Sequence, residues 1–174
     1  MTNTLTYQFS SVALISSLVL SNAAFSPKLN DEQLQISQVE QAEILVQEFY
    51  SLIIASKSSI SSLQGSVKSL TYNQDFSENL IKISGKKAYE QMLAASKKAV
   101  ARDIEEVKQA QQQLREFITE NQEFVMSLQP EVRQQIVPIL TLYIPSQIKV
   151  WQQEQHQQNQ LWKCSAVRTA PVCY

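Results

Sequence analysis

Apolar residues recur at alternating steps of three and four along the first half of the chain. Nine of these ten positions are apolar and one is a serine. They are Val39, Ala42, Val46, Phe49, Ile53, Ser56, Ile60, Leu63, Val67 and Leu70. Alternating steps keep all positions on one face of an α-helix, which is the heptad pattern of helices that pack on helices. The pattern predicts one helix of about forty residues that begins after the capping residues near Asn30.

A second stripe with the same spacing follows in the sequence. It consists of Tyr89, Leu93, Ser96, Val100, Asp103, Val107, Ala110, Leu114, Phe117, Asn121, Phe124 and Leu128. The stretch between the two stripes, Thr71 to Ser77, is rich in turn and capping residues, so we expect the chain to turn there. Two long helices joined by a short connection predict an antiparallel helical hairpin with coiled-coil-like packing.

One charged residue, Asp103, falls on the second stripe. A buried carboxylate must be paired or have a raised pKa, and either would make a functional role arguable. The simpler expectation is that the helix rotates to bury Ile104 and leaves Asp103 at the rim of the packed face.

Prolines divide the remaining chain into shorter elements. Pro130 fits the first turn of a third helix, and Pro138 and Pro145 interrupt the apolar run Ile136–Ile144. We expect this run to cover the open end of the hairpin, and a last helix over about residues 147–163. The middle of that helix, QQEQHQQNQ, is polar on every face and is expected in solvent or against another amide-rich face. The fold class is therefore all-α: a long antiparallel helical hairpin packed with shorter C-terminal helices, forming an elongated helical bundle.

The N-terminal segment has the pattern of a secretory signal peptide. A short apolar run, Val12–Leu20, precedes small residues around Ala23. The run is too short to cross a bilayer, which takes about 20 apolar residues. We predict a signal peptide at 1–23, a helical bundle domain at 24–163 and an exported protein, periplasmic or extracellular. An uncleaved anchor and an ordinary buried segment stay open, because no Lys or Arg precedes the run.

The chain contains two cysteines, Cys164 and Cys173. In an oxidising compartment two cysteines this close in sequence are expected to pair. We therefore predict a disulfide-closed tail at 164–174 that holds the C-terminus in place. The alternatives are that the bridge presents Arg168–Pro171 as a rigid recognition loop, or that the cysteines serve a redox or metal-binding role.

The overall charge balance excludes a general attraction to nucleic acid. The chain has 15 basic and 16 acidic residues and a net charge of −1. A local cluster of six cations is opposed only by Glu90. Its members are Lys82, Lys86, Lys87, Lys97, Lys98 and Arg102. One interpretation is a solvated helix face, and the other is a patch for an anionic lipid, polysaccharide or acidic protein.

Residues for catalysis are few. His156 is the single histidine, and no hydrolase, zinc-protease or nucleotide-binding motif surrounds it. Glu105 and Glu106 are neighbours, but adjacent residues on a helix point apart, so they do not form an acid–base pair. We expect one of them to pair with Arg102 instead. The sequence predicts a protein that is not an enzyme, binds no cofactor or metal, and keeps His156 in solvent.

The stretch Leu70-Thr71-Tyr72-Asn73-Gln74 resembles the LTxxQ motif of the periplasmic Spy and CpxP chaperone family. That resemblance implies a small exported helical protein that binds unfolded clients on a concave surface. Our main expectation is an exported binding or structural protein that engages a protein partner, or itself, through an extended helical surface. A holdase-like chaperone of the LTxxQ type and a membrane-active helical protein are the alternatives.

Overall fold

The computed structural model describes residues 31–166, with side chains from residue 40 to residue 164. That part of the chain folds into α-helices and short connections and contains no strand. The helices are α1 (Asp31–Asp75), α2 (Ser77–Ser84), α3 (Lys86–Glu120), α4 (Gln122–Ser127), α5 (Pro130–Gln134), α6 (Val137–Leu140) and α7 (Ile144–Ala166). The prediction of an all-α fold with long packed helices is confirmed.

Several sequence expectations concern residues outside this range. The expected signal peptide at 1–23, the loop Arg168–Pro171 and Cys173 all lie outside the described residues. Cys164 lies inside it, near the end of α7. Its pairing with Cys173 therefore stays a prediction. Between residues 31 and 166, no helix combines the length and the apolar character needed to cross a membrane.

Contacts divide the chain into two compact units, Met1–Glu48 and Phe49–Tyr174. The described part of the first unit is the N-terminal portion of α1, in which Val46 is buried. The second unit contains the remaining helices and all of the packing described below.

Three helices form the core of the second unit. Leu63 and Val67 from α1, Val107 from α3, and Ile144 and Trp151 from α7 make one buried apolar cluster. Partly buried side chains surround it: Ile60, Val100, Ile104, Leu142 and Ile148. Burying one such aliphatic or aromatic side chain contributes roughly 1.5–3 kcal/mol to folding. Members of both apolar stripes thus pack together, with α7 covering them.

Contacts between α1 and α3 extend from this core in both directions. The rings of Phe49 and Phe117 lie 5.9 Å apart, centroid to centroid. Ser66 bonds Asp103, and Asn73 bonds Ser96. In these contacts, the residue number of the α3 partner falls as that of the α1 partner rises.

The expected turn between Thr71 and Ser77 is reduced to one residue, Phe76, because α1 continues to Asp75 and α2 begins at Ser77. The polar side chains there face the packed side of the helix and find partners. Thr71 donates through Oγ1 to the carbonyl of Val67 (2.9 Å), and Asn73 donates through Nδ2 to Oγ of Ser96 (2.9 Å). Since these groups are satisfied, nothing forces the helix to end.

The helical run is interrupted at Phe76 and again at Gly85, on either side of α2. Gly85 has a φ of 82°, in the left-handed region that favours glycine. No atom outside its immediate neighbours would meet an added Cβ. A side chain at this position would therefore be opposed by backbone strain and not by crowding.

The C-terminal helices begin close to the prolines, where a missing N–H costs nothing. α5 starts at Pro130, as predicted, whereas α7 starts at Ile144 and not at Gln147.

The apolar run Ile136–Ile144 is fixed to α3 by a buried side-chain amide. Nε2 of Gln111 donates to the carbonyl oxygens of Ile139 (2.7 Å) and Leu142 (3.2 Å).

Candidate functional site

A fully buried carboxylate lies in the middle of α3. Asp103 has 0% of its surface exposed. Its Oδ1 accepts hydrogen bonds from Nε and Nη2 of Arg102, at 2.9 and 2.7 Å. Its Oδ2 accepts hydrogen bonds from Oγ of Ser66 (2.5 Å) and Oγ of Ser62 (3.2 Å). Each carboxylate oxygen thus has two donors, and one charge connects α1 with α3.

Burial by itself raises the pKa of Asp103, because it penalises the charged form. The hydrogen bonds from Ser66, Arg102 and Ser62, together with the guanidinium charge, outweigh that penalty and hold the pKa below its usual value. The same pairing raises the pKa of Arg102 above its usual range. The pair is therefore charged at neutral pH.

The expectation that Asp103 lies at the rim is wrong. Asp103 is buried, whereas Ile104 is only partly buried. The reason is that two serines on α1 and the adjacent guanidinium supply all the donors that the carboxylate needs. Rotation of the helix is then unnecessary, since a buried charge is tolerated when it is paired and hydrogen-bonded.

The geometry suits a structural role better than acid–base chemistry. A general base must reach the proton it takes, and Asp103 has no exposed surface for a substrate. Its lowered pKa also makes it a weaker base. A single paired polar group on an apolar helix face is well suited to fix the register of two helices.

The two hydroxyl donors, Ser62 and Ser66, were not among the site residues predicted from the sequence. Each precedes a buried stripe residue, Leu63 or Val67, and the two serines are four positions apart on one side of α1. The signal was a pair of small polar residues beside one apolar stripe together with an acid on the other stripe. Arg102 also pairs with Glu106 (3.5 Å), which confirms the expected i,i+4 pair.

A second polar cluster joins the end of α1 to α7. Oδ2 of Asp75 accepts a hydrogen bond from Nδ2 of Asn159 (2.8 Å) and lies 2.7 Å from Nδ1 of His156. Asn159 is buried, and its Oδ1 accepts a hydrogen bond from Nε2 of Gln155. One turn of α7 thus presents two partners to one carboxylate.

The polar middle of α7 was expected in solvent or against another amide-rich face, and both alternatives are wrong for Asn159, which is buried against the carboxylate of Asp75. His156 is exposed, as predicted: its side chain is 52% exposed, while that of Asp75 is 13% exposed. The histidine that the sequence placed in solvent has a carboxylate partner on one ring nitrogen. The apolar periodicity of α7 did not predict the burial of Asn159, because an asparagine is not counted among the apolar residues that mark a buried face.

All six cations predicted as a patch are exposed, but they are not equivalent. The guanidinium of Arg102 is bound to Asp103 and Glu106. On α3, Lys86 and Lys97 are separated by eleven positions, or about three turns, as are Lys87 and Lys98. These four lysines form two parallel rows that we call the basic face. Lys82 is exposed on the neighbouring helix α2.

Exposed apolar side chains accompany these lysines. α2 has no buried residue, and Ile83 is 84% exposed. On α3, Ala94 and Ala101 are exposed and lie between the two lysine rows. The surface thus combines charge with small and apolar side chains.

The five residues that resemble the LTxxQ motif lie within α1. Thr71 and Asn73 are buried there, whereas Tyr72 and Gln74 are exposed. The chaperone interpretation stays a prediction. No protein-family model, no curated protein and no solved structure matches this chain.

Proposed function

We propose that this chain is an exported, non-enzymatic helical protein that binds a protein partner, or a second copy of itself, through a helical surface. The observation that carries the proposal is the basic face of α3. Four lysines are exposed on it, and Lys86 has a single carboxylate, Glu90, at 4.0 Å.

The stability of the fold does not explain Lys86 and Lys87. Lys86 and Lys87 occupy the first turn of α3, where the helix dipole disfavours positive charge. The Lys86–Glu90 pair is solvent-exposed on both sides, and exposed pairs contribute little. Positive charge that the fold does not use is better explained by a partner that does.

The proposal also includes an antiparallel helical hairpin, export and a disulfide-closed tail. The opposite order of residue numbers in the α1–α3 contacts supports an antiparallel hairpin as the frame of this surface. The signal-like segment 1–23 and the two cysteines support export, with a disulfide closing the tail. Intact mass tests this part: the exported protein should lack residues 1–23 and be about 2 Da lighter before reduction.

Site-specific crosslinking in intact cells tests the binding surface. A photoreactive amino acid replaces Ala94, in the centre of the basic face. The matched control replaces Gln153, an exposed residue of α7 that is not on this face. We expect a discrete protein adduct, homotypic or heterotypic, from Ala94 and none from Gln153. Equal labelling at both positions, or no adduct at either, would contradict the proposal.

A further inference from the structure

A segment of α1 carries the charge opposite to that of the basic face. Residues 31–56 contain five carboxylates and neither Lys nor Arg. The carboxylates are Asp31, Glu32, Glu40, Glu43 and Glu48. Within this segment Glu40, Glu43 and Glu48 are exposed, and Ile44 is exposed by 61%. We call these four residues the acidic face.

The basic face has a complementary composition. Residues 79–102 contain six cations and one carboxylate, Glu90. The lysine rows are separated by the exposed methyl groups of Ala94 and Ala101. Small residues at the centre let another helix approach closely, while lysines on both sides reach carboxylates that flank an apolar side chain.

We propose that the basic face of α3 in one copy binds the acidic face of α1 in a second copy, with Ile44 packed on the alanines. This inference rests on the proposed function and names its partner. The two faces are complementary in charge, since one carries four lysines and the other three glutamates, and the exposed isoleucine of one matches the strip of small residues on the other. The chain itself thus supplies a surface whose charge is opposite to that of the basic face and whose isoleucine can pack on the alanines.

Other occupants fit the basic face less well. Glu90 lies on it and would be repelled by a uniformly anionic lipid surface, whereas a helix can position a lysine or a gap opposite it. Nucleic acid without sequence preference is bound by cations interleaved with aromatic rings, and the basic face carries none.

Sedimentation velocity on the purified exported protein, over a range of concentrations, tests the inference. We expect association that weakens at high ionic strength, because exposed charge pairs are screened. Charge reversal of Lys97 and Lys98 to Glu should weaken it about tenfold or more, and so should reversal of Glu40 and Glu43 to Lys. Lys149→Glu, at an exposed position of α7, is the control and should leave association unchanged.

Mixing the two reversed proteins gives the decisive result. K97E/K98E retains a native acidic face, and E40K/E43K retains a native basic face. Their equimolar mixture should therefore form the heterotypic complex at near-native affinity, although each variant alone associates about tenfold more weakly, or weaker still. Restored association also shows that both variants are folded, which circular dichroism checks independently.

Failure to self-associate and failure to bind any partner are distinguishable. A chain that is monomeric at every concentration overturns the inference, as does association that ignores salt and charge reversal. If that monomer still gives a heterotypic adduct at Ala94 in cells, the proposed function survives and only the second copy is excluded. Lysine-dependent sedimentation of the monomer with phosphatidylglycerol vesicles would instead identify a lipid occupant.

Discussion

Two aspartates illustrate how differently one side chain can be used in the same helical unit. Asp103 is fully enclosed between α1 and α3, with an arginine on one oxygen and two serines on the other. Asp75 lies at the end of α1 and borders solvent, with an asparagine and a half-exposed histidine as its partners.

The contrast between the two sites shows which polar contacts hold the helices together. Removing one partner from an enclosed charge leaves a costly unpaired group, whereas water replaces a lost partner at a border. We therefore expect the polar contacts of Asp103 to contribute most to the free energy of unfolding. The contacts of Asp75 should orient α7, and their loss should reduce stability less.

The largest effect is expected from Asp103→Asn. The amide loses the charge that four donors address and places its own donors against them, so unfolding free energy should fall by about 3 kcal/mol. Asp75→Asn should cost about 1 kcal/mol, because the site is partly solvated. Urea denaturation followed by circular dichroism measures both. Equal losses would remove the contrast between the two sites.

Acid should reproduce part of the Asp103 effect. The pKa of Asp103 is lower in the folded protein than in the unfolded chain, where an Asp has a pKa of about 3.9. The stabilisation that Asp103 provides is therefore complete above the unfolded pKa. It is lost as pH falls below about 4 toward the folded pKa. Stability measured between about pH 6 and pH 2 should therefore decline less steeply in Asp103→Asn than in the native protein. Parallel curves would contradict the assignment.

Of the two serines that bind Asp103, the one with the shorter hydrogen bond should contribute more to stability. Ser66→Ala removes the 2.5 Å bond to the buried carboxylate and should cost about 2 kcal/mol. Ser62→Ala removes the 3.2 Å bond and should cost less than about 1 kcal/mol. The two variants are matched in chemistry and helix, and a reversed order in denaturation midpoints would show that Ser62 is the main donor.

The smallest effects are expected at α7. Asn159→Ala removes a buried amide from Asp75 and should cost about 1 kcal/mol. His156→Gln changes a half-exposed side chain and should stay within about 0.5 kcal/mol. Thermal denaturation compares them. A larger loss for His156→Gln would mean that the histidine, and not the amide, attaches α7 to α1.

The long helices could be predicted from the sequence because apolar spacing reports directly which face of a helix is buried. Val67 and Val107 lie on the stripes and in the core. Asp103, Asn73 and Asn159 were placed wrongly, because their burial depends on partners distant in sequence. Periodicity shows that a position faces inward, but it does not show whether a hydroxyl or guanidinium is there to satisfy it.

The candidate binding surface was predictable in composition but not in detail. The sequence identified all six cations, and all are exposed. It did not show that the guanidinium of Arg102 is already bound to Asp103, because that contact involves adjacent residues that usually diverge on a helix. What remains on α3 is a narrower surface of lysines and alanines.

The left-handed backbone at Gly85 has a consequence for the order in which the chain folds. Asn73 and Ser96 are 23 residues apart, Ser66 and Asp103 are 37 apart, and Asp75 and Asn159 are 84 apart. Short loops close first, so we expect contacts near Gly85 to form in the transition state and those of α7 afterwards. Asn73→Ala should then slow refolding, whereas Asn159→Ala should mainly accelerate unfolding, which stopped-flow kinetics can distinguish. The packing of α1 on α3 would in this way begin at the ends of these helices that lie closest to Gly85 in the sequence and proceed away from them.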